Sequence, residues 1–313
     1  MRHANGRPQR AHSFSGRSAF FGLRGTASKI QPPAAGGASP GRPEHLPSVP
    51  EGHTIHRLAL DHTRDLAGKR LRVASPQGRF EGAELIDGQR FVRADAWGKH
   101  LFHHWEDGQV VHVHLGLFGK FFRWPKRPPP PRETTRMRLQ DHASPLTIDL
   151  IGPTACERMV PAAVRKLLAR LGPDPLRDDA DPERAWARLQ RGRGNIGAAL
   201  MNQAVLAGVG NVYRAEALFV HGIHPERPAR AVSRAEFDAL WAWLCRALRH
   251  GVKHGRIVTV QAALDGAPAR WRRLARSERV HVYKAERCPA CARPVRRWEL
   301  SGRWAYACEN CQR

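Results

Sequence analysis

Four of the six cysteines read Cys288-x2-Cys291-x16-Cys308-x2-Cys311. Two CxxC pairs at that separation, joined by a β-hairpin, make a tetrahedral cage of four sulfurs, and Zn²⁺ is the ion expected in it. Two disulfides are the other use of four thiols. The strained, redox-type CxxC pairing and the lack of a recognisable secretory signal argue against them. Cys156 and Cys245 fall outside the pattern and are expected as small buried apolar side chains. The turn Gly208-Val209-Gly210-Asn211 is a second candidate. Its glycines expose backbone N–H groups at a helix N-terminus, where a phosphate can sit, and Asn211 adds a side-chain donor. Tight helix–turn–helix packing is the plainer use of such a turn. His100, His103, His104, His112 and His114 cluster on strand-like sequence. His112 and His114 share a face and can bind a metal, but no acid has the same spacing, so a polar strand face is expected.

Elements of three kinds have to position these residues. Residues 55–66 carry Ile55, Leu58, Ala59, His62 and Leu66 at helical spacing, which predicts one helix ahead of a sheet. Alternation over 70–74 and 109–115 predicts strands, and Asp87-Gly88 and Asp107-Gly108 read as hairpin turns. The basic, proline-rich run 125–132 is a loop. After a linker, Leu171-Gly172-Pro173-Asp174-Pro175-Leu176, the period becomes helical. Ser233-x-x-Glu236 is a capping box, with Val232 and Phe237 placed as a hydrophobic staple. Phe237, Leu240, Trp241, Leu244 and Leu248 form the stripe of that helix, with Gly251 as its C-cap.

The chain has 313 residues, 52 Lys+Arg, 28 Asp+Glu and a net charge of +24. Such an excess points to a polyanionic partner, nucleic acid above all. No apolar run approaches the length of a membrane span. Residues 1–48 hold seven Lys/Arg and a single acid, Glu44, among Gly, Pro, Ala and Ser. A stretch of that kind cannot bury enough apolar surface to fold alone. It reads as a disordered tail, a transit peptide, or translated sequence upstream of the real start.

Three motifs in one order carry a resemblance. Pro50-Glu51-Gly52, then Gly208-x-Gly210-Asn211-x-Tyr213, then the four-cysteine end together resemble the formamidopyrimidine-DNA glycosylase/endonuclease VIII family over residues 50–313. The Trp97-Gly98-Lys99 turn and the His114–Gly119 stretch look closer to the endonuclease VIII branch. The resemblance implies an α+β multidomain fold: an N-terminal β-sandwich with a flanking helix, a helix–two-turn–helix domain and a β-hairpin zinc finger. The expected boundaries are 1–48 for the extension, 49–176 for the catalytic domain, 177–282 for the helical domain and 283–313 for the finger.

It also implies an activity, removal of oxidised bases from DNA, pyrimidines favoured, followed by strand cleavage. Pro50 would be the nucleophile: a secondary amine that attacks the sugar C1′ and becomes an iminium. Glu51 would move protons. Lys99 would assist β-elimination and Arg303, at the expected tip of the finger, δ-elimination. Asn211 would hold a backbone phosphate, and Leu117 and Phe118 would fill the gap left by an extruded base, with Phe121 and Phe122 the expected core pair. Residues 255–260 lie where relatives place a base-contacting loop. Thr54, residues 195–197 and Asn202 depart from the family pattern. The implied cofactor is one structural zinc. The implied partner is damaged double-stranded DNA, met by a monomer with no membrane contact in a bacterial cytoplasm, at the nucleoid. A non-catalytic DNA-binding protein on the same scaffold and a zinc-ribbon regulatory protein are the competing readings.

One chemical conflict remains. A proline inside a chain has an amide nitrogen and cannot attack, so Pro50 has to be the first residue. Val49 suggests how: a GTG start codon is decoded as Met, and removal of that Met frees Pro50. Residues 1–48 are therefore expected to be not made, or to be cleaved.

Overall fold

The computed structural model describes residues 44–45, 50–266 and 273–313. Apart from two residues, the N-terminal extension lies outside the described residues. Those two form strand β1 (Glu44–His45), which pairs antiparallel with β6 (Lys120–Trp124).

Two antiparallel sheets make the first layer pair. One runs β1, β6, β8 (Thr147–Ile151), β7 (Thr135–Asp141), β2 (Leu71–Ala74). The other runs β3 (Phe91–Trp97), β4 (His100–Trp105), β5 (Val110–His114), β9 (Ala155–Met159). Leu71, Leu139, Ile148 and Leu150 from the first sheet share one apolar cluster with Phe91, Leu101, Val111 and Val113 from the second. This is a β-sandwich, and alternation along each strand is what fills its interior. Helix α1 (Gly52–Leu66) adds Ile55, Leu58, Ala59 and Leu66 to the same cluster, the stripe expected of it.

Two turns separate expectation from structure. Asp107-Gly108 joins β4 to β5 as a hairpin, with Gly108 at φ 82°. Asp87-Gly88 does not; it follows the short helix α2 (Ala83–Ile86) and leads into β3. A DG pair marks positive φ at the glycine, here 74°, whatever precedes the turn. Phe121 is core, whereas Phe122 is only half-buried and lies under the Arg132 guanidinium, 5.4 Å from its ring centre.

The second body is helical: α3 (Pro161–Arg170), α4 (Pro182–Arg191), α5 (Ile196–Met201), α6 (Asn211–Val220), α7 (Arg234–His254) and α8 (Gln261–Leu264). Two turns, residues 202–210, separate α5 from α6. The capping box of α7 forms as expected, and Val232 and Phe237 are both buried. The helix does not stop at Gly251. It continues to His254 and ends on Gly255, which takes the left-handed conformation at φ 66°. Gly251 is an interior residue with a packing role: a Cβ there would meet the Tyr213 hydroxyl at 2.4 Å and the His53 Cβ at 3.0 Å. The buried indole of the stripe is Trp243, with Trp241 only half-covered.

The chain ends in a hairpin of β10 (Arg296–Leu300) and β11 (Arg303–Ala307). Its two-residue turn has Ser301 at φ 52° and Gly302 at φ 71°, the positive pair that suits the twist of a hairpin. Among the described residues no helix is long and apolar enough to cross a membrane.

Candidate active site

Glycines bring three distant segments together. The start of α1, the β3–β4 turn and the α5–α6 connection meet at Gly52, Gly98 and Gly208. A Cβ on Gly52 would lie 2.9 Å from the Gly208 Cα, and one on Gly98 would lie 2.9 Å from the Gly208 nitrogen. Gly52 N–H donates to the Gly208 carbonyl at 2.8 Å. Asp174, fully buried, accepts from Gly98 N–H at 2.6 Å and from Leu176 N–H at 2.9 Å, and bonds His56 Nε2 at 2.7 Å. The segment that reads as a linker is thus the clasp that fixes the turn carrying Lys99.

That junction sets Glu51 at the N-terminus of α6. Its carboxylate accepts from Gly210 N–H at 3.0 Å, Val212 N–H at 2.9 Å and Tyr213 N–H at 3.4 Å. The helix N-terminus proposed as a phosphate site is therefore occupied by a carboxylate of the chain itself. The rule that anions settle there holds, but an internal anion gets there first. Gly210 has to be glycine because a Cβ would lie 2.3 Å from the Glu51 Cδ. Burial pushes the Glu51 carboxyl above its usual range, against the opposing pull of Lys99 and the three N–H donors. Burial likewise lowers the Lys99 ammonium, with Glu51 restoring part and Arg303 lowering it further.

A cleft of about 480 Å³ opens at this point. Pro50, Glu51, Lys99, Leu117, Asn211 and Arg303, six of the residues singled out from sequence, all line it. Phe118 does not, but it stands 82% exposed beside Leu117, itself 54% exposed. Two large apolar side chains held in solvent between Gly116 and Gly119 are a feature that folding alone does not favour. Arg303 follows the finger turn and is exposed; neither it nor Lys99 has an ion-pair partner among the described residues. The Asn211 amide is tied to the finger: its Nδ2 donates to the Trp304 carbonyl at 3.0 Å and its Oδ1 accepts from Arg214.

Sequence reasoning missed several wall residues, Tyr283, Lys284, Trp304 and Tyr306 among them. It also missed what holds them. Glu216 in α6 is fully buried and accepts from the N–H groups of His281, Val282 and Tyr283 at 2.6, 2.9 and 2.9 Å, and from the Thr259 hydroxyl at 2.7 Å. Burial raises this carboxyl, but the donors outweigh it and the net shift is downward. An acid set between apolar neighbours in a helix, Ala215-Glu216-Ala217-Leu218, was the signal available.

The four cysteines converge at the base of the hairpin, where their sulfurs lie within 4.8 Å of one another. The Cys288–Cys311 and Cys291–Cys308 sulfurs are 3.8 and 3.5 Å apart, and no disulfide joins them. A tetrahedral ion with metal–sulfur bonds of about 2.3 Å needs sulfurs about 3.8 Å apart, so the cage fits such an ion. Cys156 is buried in the sandwich core, where burial pushes its thiol up to about 12, while Cys245 is half-buried on α7. The strand histidines find histidine partners: His103 Nε2 lies 2.9 Å from Nδ1 of His62 on helix α1, and His100 Nδ1 lies 2.9 Å from His112 Nε2. His112 does have an acidic partner, Glu157, supplied at 2.9 Å by the neighbouring strand β9 rather than by the local spacing. Among the described residues the cysteines alone group as metal ligands.

A β-sandwich, a two-turn helical unit and a four-cysteine hairpin around one basic cleft define a class. Family models agree: the formamidopyrimidine-DNA glycosylase N-terminal domain matches residues 47–149 and the H2TH domain of the same glycosylase matches 171–262. The chain belongs to the formamidopyrimidine-DNA glycosylase family. It is 46% identical over 273 residues to endonuclease 8 1 of Mycobacterium tuberculosis, which covers 84% of this chain and 100% of that protein. It is 31% identical over 282 residues to the formamidopyrimidine-DNA glycosylase of Thermus thermophilus, covering 85% and 98%. The crystal structure of the MutM (Fpg) protein from Thermus thermophilus superposes with a TM-score of 0.68 at 30% identity, over 84% of this chain and 98% of that one.

Proposed function

We propose that this chain is a bifunctional DNA glycosylase and AP lyase that removes oxidised bases, pyrimidines favoured, from double-stranded DNA. The observation that carries the reading is the single cleft lined by Pro50, Glu51, Lys99, Asn211 and Arg303 in a member of this family. The greater identity to an endonuclease 8 than to a formamidopyrimidine-DNA glycosylase supports the pyrimidine preference.

Each step of that activity has a residue in the cleft to serve it. The Pro50 nitrogen attacks the sugar C1′, the bond to the damaged base breaks, and the base leaves with a proton. Glu51, whose burial favours the protonated form, is the acid at hand. Loss of the Pro50 N–H proton and opening of the C1′–O4′ bond, with a proton passing to O4′, then give a tertiary iminium, which keeps no N–H to lose and acts as an electron sink. Loss of a C2′ proton expels the 3′ phosphate, and a second elimination expels the 5′ phosphate. Lys99, whose ammonium burial holds below its usual range, serves the first step, and exposed Arg303 holds phosphate for the second. Asn211 spends one amide hydrogen on the finger and presents the other to a backbone phosphate. Leu117 and Phe118 are the wedge that occupies the emptied stack. Cys288, Cys291, Cys308 and Cys311 would hold one zinc ion, which would fix the hairpin that carries Arg303.

This mechanism needs Pro50 as the first residue, so residues 1–49 are absent from the active form. The whole length of the endonuclease 8 relative is covered by 84% of this chain, which leaves unmatched a share the size of the N-terminal extension. The active form is a monomer of the bacterial cytoplasm, working at the nucleoid, and the net charge of +18 that residues 50–313 keep of the chain's +24 suits it to DNA. The test uses protein that starts at Pro50 and a duplex with one oxidised pyrimidine. Base release with both strand ends left as phosphates is expected. Tight binding with no cleavage would instead support a DNA-binding protein on the same scaffold.

A further inference from the structure

Trp304 is the one exposed aromatic side chain that lines the cleft among the described residues, at 48% exposure. It stands immediately after Arg303 on β11, paired across the hairpin with Glu299. Its main chain is pinned: the carbonyl accepts from Asn211 Nδ2 at 3.0 Å and from Arg214 Nη2 at 2.9 Å. Arg214 is itself buried in α6, so the backbone of Trp304 is fastened to the same helix whose N-terminus holds Glu51. The Arg297 guanidinium lies 4.3 Å from the indole ring centre, covering part of the ring. What remains is a flat apolar surface, held rigidly and next to a cation, in a cleft whose other walls are Pro50, Glu51 and Lys99.

A surface of that kind suits one sort of ligand. Nucleobases stack on aromatic rings because every base has a π face, and an adjacent guanidinium strengthens the stack. The cleft, at about 480 Å³, has the size of a site for a single nucleotide. An enzyme that attacks C1′ needs its base out of the helix, and an extruded base has lost both of its stacking neighbours.

We propose that the Trp304 indole, backed by Arg297, is the stacking subsite for the everted base of the damaged strand. The proposal rests on the glycosylase reading. It assigns to Trp304 a contact with the base, not with the sugar–phosphate chain, and so separates two half-reactions. Base release needs the base in place. Cleavage at a pre-formed abasic site does not, since there is no base to stack.

The experiment compares Trp304→Ala and Trp304→Phe with the unsubstituted protein, each starting at Pro50. Two duplexes are used that differ only at one position, 5-hydroxyuracil, an oxidised pyrimidine that keeps its planar unsaturated ring, in one and an abasic site in the other. Trp304→Ala is expected to lower kcat/KM for base release by about tenfold, the effect of losing one stacked base. Its cleavage of the abasic duplex stays within about twofold, which also shows that the variant is folded. Trp304→Phe retains most of the base-release activity. Equal losses on both duplexes would overturn the proposal in favour of a structural or backbone role, and so would no loss on either. Unsubstituted protein that acts on neither duplex overturns the glycosylase reading itself, and the subsite with it.

Discussion

Acid is expected to loosen this fold well above the pH at which carboxylates usually protonate, and buried histidines are the reason. His53 is fully buried against the Tyr213 ring, and burial lowers it from 6.5 to about 3. His62, bonded to His103, is lowered from 6.5 to about 4. A histidine with a depressed folded value is neutral in the native chain but takes a proton in the unfolded one below pH 6.5. The unfolded state then binds more protons, and stability falls as pH falls from 6.5 toward the folded value. At pH 5 each such residue sits about 1.5 units below its unfolded value, a loss of about 2 kcal/mol relative to neutral pH, or about 4 kcal/mol for the two. His100, His103, His112 and His114 are also lowered and act in the same direction. Glu51 opposes them. Its folded value is raised, so the native chain takes up that proton first and regains part of the loss. With His104 and His250 lowered as well, eight histidines against one acid leave the net sign unchanged. A loss of about 4 kcal/mol is a large share of an ordinary folding free energy of about 5–15 kcal/mol. The assay is urea unfolding followed by circular dichroism at pH 7 and pH 5, on protein that starts at Pro50. A clear fall in midpoint is expected at pH 5. An unchanged or higher midpoint would refute the reasoning.

Three other expectations follow from single contacts. Glu51→Gln removes the acid while keeping an acceptor for the α6 N–H groups, so base release should fall on the order of 100-fold or more. Cleavage of an abasic duplex, where no base needs a proton, should fall less; single-turnover assays on the two duplexes measure the difference. Gly52→Ala keeps a helical backbone but sets a methyl 2.9 Å from the Gly208 Cα, so about 1–3 kcal/mol of stability should be lost in urea titrations. Cys308→Ser opens the sulfur cage, so metal analysis should find one zinc per native chain and none in the variant. Cleavage by that variant should stall before the second elimination, because Arg303 loses its support.

Much of this site was legible because its residues sit in short local motifs. Pro50-Glu51, the Trp97-Gly98-Lys99 turn and the CxxC pairs each announce themselves within four residues. The helix α1 and the capping box of α7 were legible for the same reason, since period and capping are local properties. What escaped is non-local. Nothing near Asp174 shows that its carboxylate will clasp Gly98 and His56, 76 and 118 residues away. The α6 N-terminus read as a phosphate site because the competing anion, Glu51, lies 161 residues from Val212. Gly251 read as a C-cap because a glycine needed for helix–helix approach looks the same in sequence as one needed for positive φ. The partner of His112 came from another strand, where spacing along one chain segment has no reach.

The central claim is that Pro50 is the nucleophile. It is tested most directly by trapping with sodium borohydride on an abasic or damaged duplex, followed by peptide mapping of the adduct. Protein that starts at Pro50 should form a one-to-one covalent complex with the sugar mass on the N-terminal proline, and Pro50→Gly should change or abolish it. The intact 313-residue chain should not trap, because its Pro50 nitrogen is an amide. An adduct mapped to Lys99 or another lysine, or trapping by the uncleaved chain, would contradict the account.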